Sequence, residues 1–346
     1  MPQKQHKALF LESKYGEFKV KDRDTPKPGP GELLVRNEAV ALNPVEWKIQ
    51  TYGISIEDYP AILGYDIAGM VEEIGEGVSG YLKGDRVFFQ GSVPPDRAGF
   101  QQYTIAVAEF TAKIPPNLSF DEAASVPSGL ASAVIGLYTP KPHGPGNTPP
   151  FDTSARGIYA KKPLVVLGGS ASVGQNVIQL AKLSGFSPII TTASSGNEVY
   201  LKSLGATHII DRTIPLSNLS NEITKITTAP IELVYDAVAS EETQQTGYDI
   251  LADGGHLVMI LSQKFKASSA KKTTFNFFGS WSDPQRRELG VALHGVLTGL
   301  LEQGLIKPNR VEVLPGGLNG VQLGLDKLKA NQVSGGKLLI RPQETV

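Results

Sequence analysis

The residues with most to say about chemistry lie between positions 164 and 174, in the stretch LVVLGGSASVG. An apolar run ends at Leu167, and Val173, Val177, Leu180 and Ala181 then recur at helical spacing. Between them Gly169-Ser170-Ala171-Ser172-Val173-Gly174 forms a G-x-A-x-x-G pattern, a variant of the strand-to-helix turn that offers a helix N-terminus to a dinucleotide pyrophosphate. Gly169 is expected to take the tight turn and Gly174 to let the helix approach the sheet. Ala171 adds one methyl where the pyrophosphate comes closest, which narrows the approach without closing it. The next apolar segment, PIITTA, runs into Ala193-Ser194-Ser195-Gly196-Asn197. A site for NAD ends this strand with an acid that binds the ribose 2′-hydroxyl, and no acid is present in it. Ser194, Ser195 and Asn197 supply donors, and Arg212, after the following run THIID, supplies a forked cation, so the pattern is expected to take a 2′-phosphate and hence NADPH. The alternative is a polar loop and a solvated arginine.

Such a turn needs a parallel sheet behind it. From Pro163 onward apolar runs (PLVVLG, SPIITTAS, THIIDR, IELVYDAV, HLVMIL) alternate with helical segments, as in a sheet covered on both faces. The carboxyl ends of YDAV and VMIL, with Ile260 and Leu261, are where a sheet of this kind places its ligand. From Lys7 to about Val107 the runs are short, β-rich and punctuated by glycine and proline, which predicts an antiparallel, barrel-like domain with Gly29, Gly31, Gly75, Gly77 and Gly84 at turns. Asp121 and Glu122 are expected in the first turn of a helix, and the proline-dense stretch after Tyr138 is expected to be an exposed loop. A chain of 346 residues, 40% hydrophobic, suffices for about two domains. The formal net charge of -1 and the lack of long like-charge runs point to a small-molecule partner, with neither a nucleic-acid nor a membrane surface. The sequence has no cysteine, so disulfides and thiolate metal sites are excluded. Neither a signal peptide nor a membrane span is read, and a soluble, cytoplasmic monomer or homodimer is expected.

Several motifs in order, GELLVRNEAVALNPVEWK, ILGYDIAGMVEEIGEGV, GDRVFF, GFQQYTIA, LVVLGGSASVG, KSLGATHIID and SGGKLLI, make the chain resemble the medium-chain dehydrogenase/reductase superfamily, and within it the zinc-free quinone-reductase and fungal enoyl-reductase branch. The resemblance implies an α/β fold: a Rossmann-type doubly wound parallel sheet at residues 128–297, with a GroES-like β-barrel catalytic domain built from 1–127 and 298–346. It places the active site in the cleft between them. Zinc-dependent members carry an early cysteine and a Gly-His-Glu triplet, and use the metal as a Lewis acid. Here NPVEWK stands at the first place and Gly64-Tyr65-Asp66 at the second, and the five histidines are scattered, so no metal is expected.

What the resemblance then implies is hydride transfer from NADPH to the β-carbon of an α,β-unsaturated carbonyl, with a proton delivered to the α-carbon. That reaction needs positioning, water exclusion and a donor for the enolate oxygen. By the family pattern Asn43, Pro44, Trp47 and Lys48 border the cofactor, with Lys48 a cation near the enolate. Ser132 matches a position that touches the nicotinamide, and Ser334, Gly335 and Lys337 a return strand that reaches the cofactor, with Lys337 near phosphate. Tyr65 is a candidate acid and, with Ser128 and Trp281, a candidate wall of the substrate pocket. Asp66 is expected to fix a loop. Phe275, Phe277, Phe278 and Trp281 either wall the channel or form core or a subunit contact. Three functions remain open: a carbon–carbon double-bond reductase acting on free or carrier-bound substrate, an NADPH:quinone oxidoreductase, and a non-catalytic, crystallin-like NADPH-binding protein.

Overall fold

The computed structural model describes residues 4–277, 279–281 and 283–346. In chain order the elements are β1 (Gln5–Leu11), β2 (Phe18–Asp24), β3 (Glu32–Ala41), α1 (Pro44–Tyr52), β4 (Ala61–Ile62), β5 (Asp66–Ile74), β6 (Arg86–Gln90), β7 (Tyr103–Val107), β8 (Thr111–Lys113) and α2 (Phe120–Ala124). Next come α3 (Pro127–Tyr138), β9 (Leu164–Leu167), α4 (Ser172–Ser184), β10 (Ile189–Ala193), α5 (Glu198–Leu204), β11 (His208–Asp211), α6 (Leu219–Ile226), β12 (Leu233–Asp236), α7 (Glu241–Asp249), β13 (His256–Met259), β14 (Thr273–Asn276) and α8 (Arg287–Glu302). The chain closes with β15 (Arg310–Val313), α9 (Val321–Lys329) and β16 (Gly336–Ile340). Two compact units result, one of residues 1–128, 294–302 and 308–346, the other of 129–293 and 303–307.

In the first unit a sheet runs β15-β16-β3-β5-β6-β8, with β7 also on β3, and a smaller sheet runs β2-β1-β4. Except for the parallel β15–β16 pair, neighbours are antiparallel. Leu33, Val35, Val40, Ile67, Val71 and Leu338 fill the core of this unit. Because β16 lies beside β3, the C-terminal residue Lys337 is carried to the strand system that begins α1 and β5.

The second unit holds a six-stranded sheet of order β11-β10-β9-β12-β13-β14, parallel throughout. This is the doubly wound order, with its switch point between β9 and β12. All four residues of β9 are buried, as a strand covered on both faces requires. Val165, Leu167, Ile190, Val234, Leu257 and Met259 form the core. The helix expected at Asp121 and Glu122 is α2, capped by Ser119 in a reciprocal bond with Glu122. The proline-dense segment that follows α3 has only a short 3-10 turn at Thr153–Ala155, yet it is pinned to α4. Gly157 N–H donates to Leu183 O at 3.0 Å, and the Tyr159 ring stacks on Phe186 at 4.7 Å.

Candidate functional site

The nucleotide turn of the second unit follows β9 and delivers the chain into α4. Gly168 adopts φ +82°, the left-handed conformation that glycine takes without strain. The tight turn therefore falls on Gly168, one residue earlier than the spacing alone suggested for Gly169. Gly169 serves clearance instead: a Cβ there would stand 2.1 Å from Thr191 Oγ1 on the neighbouring strand. Gly174 has the expected role, because its Cβ would lie 2.3 Å from the Gly168 carbonyl oxygen. Ala171 is the N-cap of α4 and has no side-chain oxygen to accept from the first turn. Ser170, Ala171, Ser172 and Val173 are half-buried.

At the end of β10, Ser194 is half-buried and Ser195 begins a 3-10 turn that places Asn197 under cover. Arg212 donates its backbone N–H to Ala193 O at 3.0 Å, and its exposed guanidinium makes no hydrogen bond or ion pair with a described residue. The strand itself lacks an acid, but Asp211 lies opposite Ala193 in the β10–β11 register. Its carboxylate accepts from Thr213 N–H at 2.8 Å and Thr213 O–H at 2.7 Å, and these bonds, with that of Ser195 N–H, hold it below the usual carboxylate range. Sequence reasoning missed this carboxylate because it sits on the adjacent strand, and only the parallel pairing brings it to the end of β10.

At the switch point the buried carboxylate of Asp236 accepts from Val238 N–H at 2.9 Å, Ala239 N–H at 2.8 Å and Thr243 O–H at 2.8 Å. This turn sets Val238 over Gly168, where a Cβ on the glycine would meet Val238 Cγ2 at 2.5 Å. Ile260 and Leu261 follow β13 at its carboxyl end, both half-buried. Ser132 on α3 is half-buried; its carbonyl accepts from Tyr235 O–H at 2.8 Å, and Gly279 packs against it. Trp281 and Phe277 are buried, and Phe275 stacks on Phe277 at 6.0 Å. Phe275 is half-buried, and Phe278 lies outside the described residues.

In the first unit the N-terminus of α1 forms a polar cluster. Asn43 caps the helix, Pro44 occupies its first position, and Glu46 reaches back to accept from Asn43 N–H at 2.5 Å. The amide of Asn43 donates to Asp66 Oδ2 at 3.0 Å and accepts from Lys337 Nζ at 3.1 Å. Lys337 is also ion-paired with Asp66, and both are buried. Ser128 N–H donates to the second oxygen, Asp66 Oδ1, at 2.5 Å. Lys337 was expected to meet phosphate; in this structure its ammonium is the counter-ion of a buried carboxylate. Asp66 ties down far more than one loop, since it holds the starts of α1 and α3 and the strand β16. Burial pushes the carboxyl of Glu46 up to about 8, with the negative charge of Asp66 adding to the effect. The Asn43…Glu46 spacing is a capping signature, through which Glu46 was legible but was not singled out.

Lys48 and Trp47 are half-buried on α1, with the Lys48 ammonium 5.7 Å from the Trp47 ring centroid. The Trp47 Nε1 is shielded from solvent and has no hydrogen-bond partner among the described residues. Tyr65 packs on the core of the unit, its hydroxyl bonds to no described residue, and burial raises its pKa. The Ser128 hydroxyl is occupied by Tyr65 O at 3.4 Å and Gln90 Nε2 at 3.3 Å. Ser334 is exposed and Gly335 turns with φ +68° into β16.

The pattern of an alcohol dehydrogenase GroES-like domain matches residues 29–116, and that of a zinc-binding dehydrogenase matches residues 172–281. The chain is 30% identical to a trans-enoyl reductase of Pyricularia oryzae, over 96% of this chain and 97% of that protein. It is 32% identical to a trans-enoyl reductase of Fusarium heterosporum, over 98% of this chain and 99% of the relative. It belongs to the medium-chain dehydrogenase/reductase superfamily, in the enoyl-reductase-like branch. Solved structures of the superfamily share the fold. An alcohol dehydrogenase superfamily protein from Novosphingobium aromaticivorans superposes with TM-score 0.78 at 25% identity, covering 97% of this chain and 99% of that one. A crotonyl-CoA carboxylase/reductase in complex with NADP does so with TM-score 0.77 at 18% identity, covering 98% and 95%.

The superfamily's zinc does not fit the residues present here. The sequence has no cysteine, Tyr65 stands at the imidazole position, and the Asp66 carboxylate is already neutralised by Lys337. Among the described residues no group of three His, Cys, Asp or Glu is placed to hold a metal ion, and no helix is long and apolar enough to cross a membrane.

Proposed function

We propose that this oxidoreductase uses NADPH to reduce the carbon–carbon double bond of α,β-unsaturated carbonyl compounds without a metal. The observation that carries the reading is the match, over nearly the whole length of both chains, to proteins named trans-enoyl reductases. The glycine-lined turn from β9 into α4, with Ala171 at the N-cap, supports the cofactor half of it.

NADPH, when bound, supplies the hydride for the β-carbon. In this reading the N-terminus of α4, capped by Ala171 and bounded by Gly168, Gly169 and Gly174, holds the pyrophosphate. Ser170, Ser172 and Val173 line that turn. The unpaired guanidinium of Arg212, with Ser194, Ser195 and Asn197 at the end of β10, takes the 2′-phosphate. Asp211 opposes it nearby, and its engagement with Thr213 and Ser195 N–H dampens that repulsion. Ser132, Ile260 and Leu261 meet the nicotinamide half, and Pro44, Trp47, Ser334 and Gly335 the remaining edges. Lys48 stabilises the developing enolate oxygen. Tyr65, held protonated by burial, is the candidate that passes a proton to the α-carbon, its phenolate regaining one from solvent; the poor solvation of that phenolate makes the transfer harder, so position and not acidity recommends it. Asn43, Asp66 and Lys337 serve by holding α1 and α3.

A screen of NADPH oxidation with simple enals, aryl enones, acyl thioesters and quinones tests this reading. Turnover of an enal, enone or thioester with formation of the saturated product supports it. Turnover of quinones alone would move the protein to the quinone oxidoreductase reading.

A further inference from the structure

The cluster below α1 contains two fully buried carboxyls, Glu46 and Asp66, and a single ammonium, Lys337. The three are not equally served. Asp66 receives the ammonium, the Asn43 amide and Ser128 N–H. Glu46 receives Asn43 N–H at 2.5 Å, its own backbone N–H and a long contact from Asn43 Nδ2 at 3.5 Å, but no ammonium. With both carboxyls ionised, an uncompensated negative charge would lie buried within the unit. One proton removes that charge, and the poorer bonding of Glu46 directs the proton there.

We propose that Glu46 is a positioning residue that carries a proton in the working protein, and that losing this proton loosens the first turn of α1 and the setting of Trp47 and Lys48. The mechanism is competition. An ionised Glu46 contends with Asp66 for Lys337 and for Asn43, and Asn43 is the N-cap of the helix that bears Trp47 and Lys48. Asp66 of β5, Lys337 of β16 and Tyr65 just before β5 face Glu46, and Lys48 is its charged neighbour on α1. The charges of α9, which packs against α1, are committed elsewhere: Lys327 to Glu312, Lys329 to Thr51 and Asp326 to Gln322.

The test uses the full chain carrying Trp281→Phe, which leaves Trp47 as its one tryptophan. Its emission is followed as pH rises, beside the same chain with Glu46→Gln or Asp66→Asn. A glutamine preserves the reciprocal cap and cannot ionise. The expected result is a transition with its midpoint near 8 in the parent, none in Glu46→Gln, and a lower midpoint in Asp66→Asn, where a neighbouring negative charge is gone. A midpoint that persists in Glu46→Gln or stays unmoved in Asp66→Asn would overturn the proposal, as would the absence of a transition in the parent. Should Glu46→Gln not fold, Asp66→Asn decides alone. A kinetic arm rests on the reductase reading: kcat should fall on the alkaline side in the parent and not in Glu46→Gln. If no acceptor is reduced, that reading fails while the emission measurement still judges Glu46.

Discussion

Around the start of α1, Asn43, Glu46, Asp66 and Lys337 satisfy one another within a buried cluster, whereas at the end of β10 the Arg212 guanidinium is exposed without a hydrogen bond or ion pair to a described residue, and α4 starts on an alanine cap. Both regions were expected from the sequence to contact cofactor. The contrast separates two ways in which a polar residue serves a site: by touching the ligand, or by fixing the backbone that does. Of two cations expected to meet phosphate, Lys337 is buried and paired with Asp66 while Arg212 is exposed.

The largest effect follows from removing the buried cation. Lys337→Met strands Asp66, and the cost is about 3–5 kcal/mol of folding stability, measured by urea denaturation. If Lys337 were a phosphate ligand, the same change would weaken NADPH binding and leave stability nearly untouched. Arg212→Ala sharpens the other side of the comparison. Loss of a charge-assisted contact of about 1.5–3 kcal/mol should weaken NADPH binding by roughly tenfold or more, with NADH unaffected and the melting temperature unchanged. Gly174→Ala pushes a methyl toward the Gly168 carbonyl and should cost about 1–3 kcal/mol, with loss of dinucleotide affinity read by titration.

Glu46 gives the comparison a pH axis. Its folded pKa of about 8 lies above the ordinary 4.5, so its contribution is fully present below the unfolded value and is lost as pH rises through the folded one. Glu46→Gln should therefore gain stability over the parent with rising pH between those limits, and the gain should level off above them; parallel denaturation series check it. The smallest expected effect is that of Ser194→Ala, where a neutral hydrogen bond of about 0.5–1.5 kcal/mol should narrow the NADPH over NADH preference by only a few-fold.

Much of the fold was legible because parallel strands buried on both faces leave continuous apolar runs such as LVVL, and because the helix after them keeps its apolar spacing. The turn was legible in type but one residue out in register. Adjacent glycines offer two places for a positive φ, and spacing does not reveal which of them faces Thr191. What escaped were contacts made across the chain. Asp211 reaches the end of β10 only through strand pairing, and Lys337 meets Asp66 across 271 positions. A lysine in a closing strand reads as an edge residue until its neighbours in space are known. Glu46 lay within reach of sequence reasoning, since its distance from Asn43 is that of a reciprocal helix cap.

Whether this chain reduces an activated carbon–carbon double bond with NADPH is decided by a product-resolved assay in the presence of a strong chelator. An enal, an enone or an acyl thioester is expected to oxidise NADPH and to be recovered with its double bond saturated and its carbonyl intact. Recovery of an allylic alcohol, or bound NADPH that none of these acceptors oxidises, would contradict it.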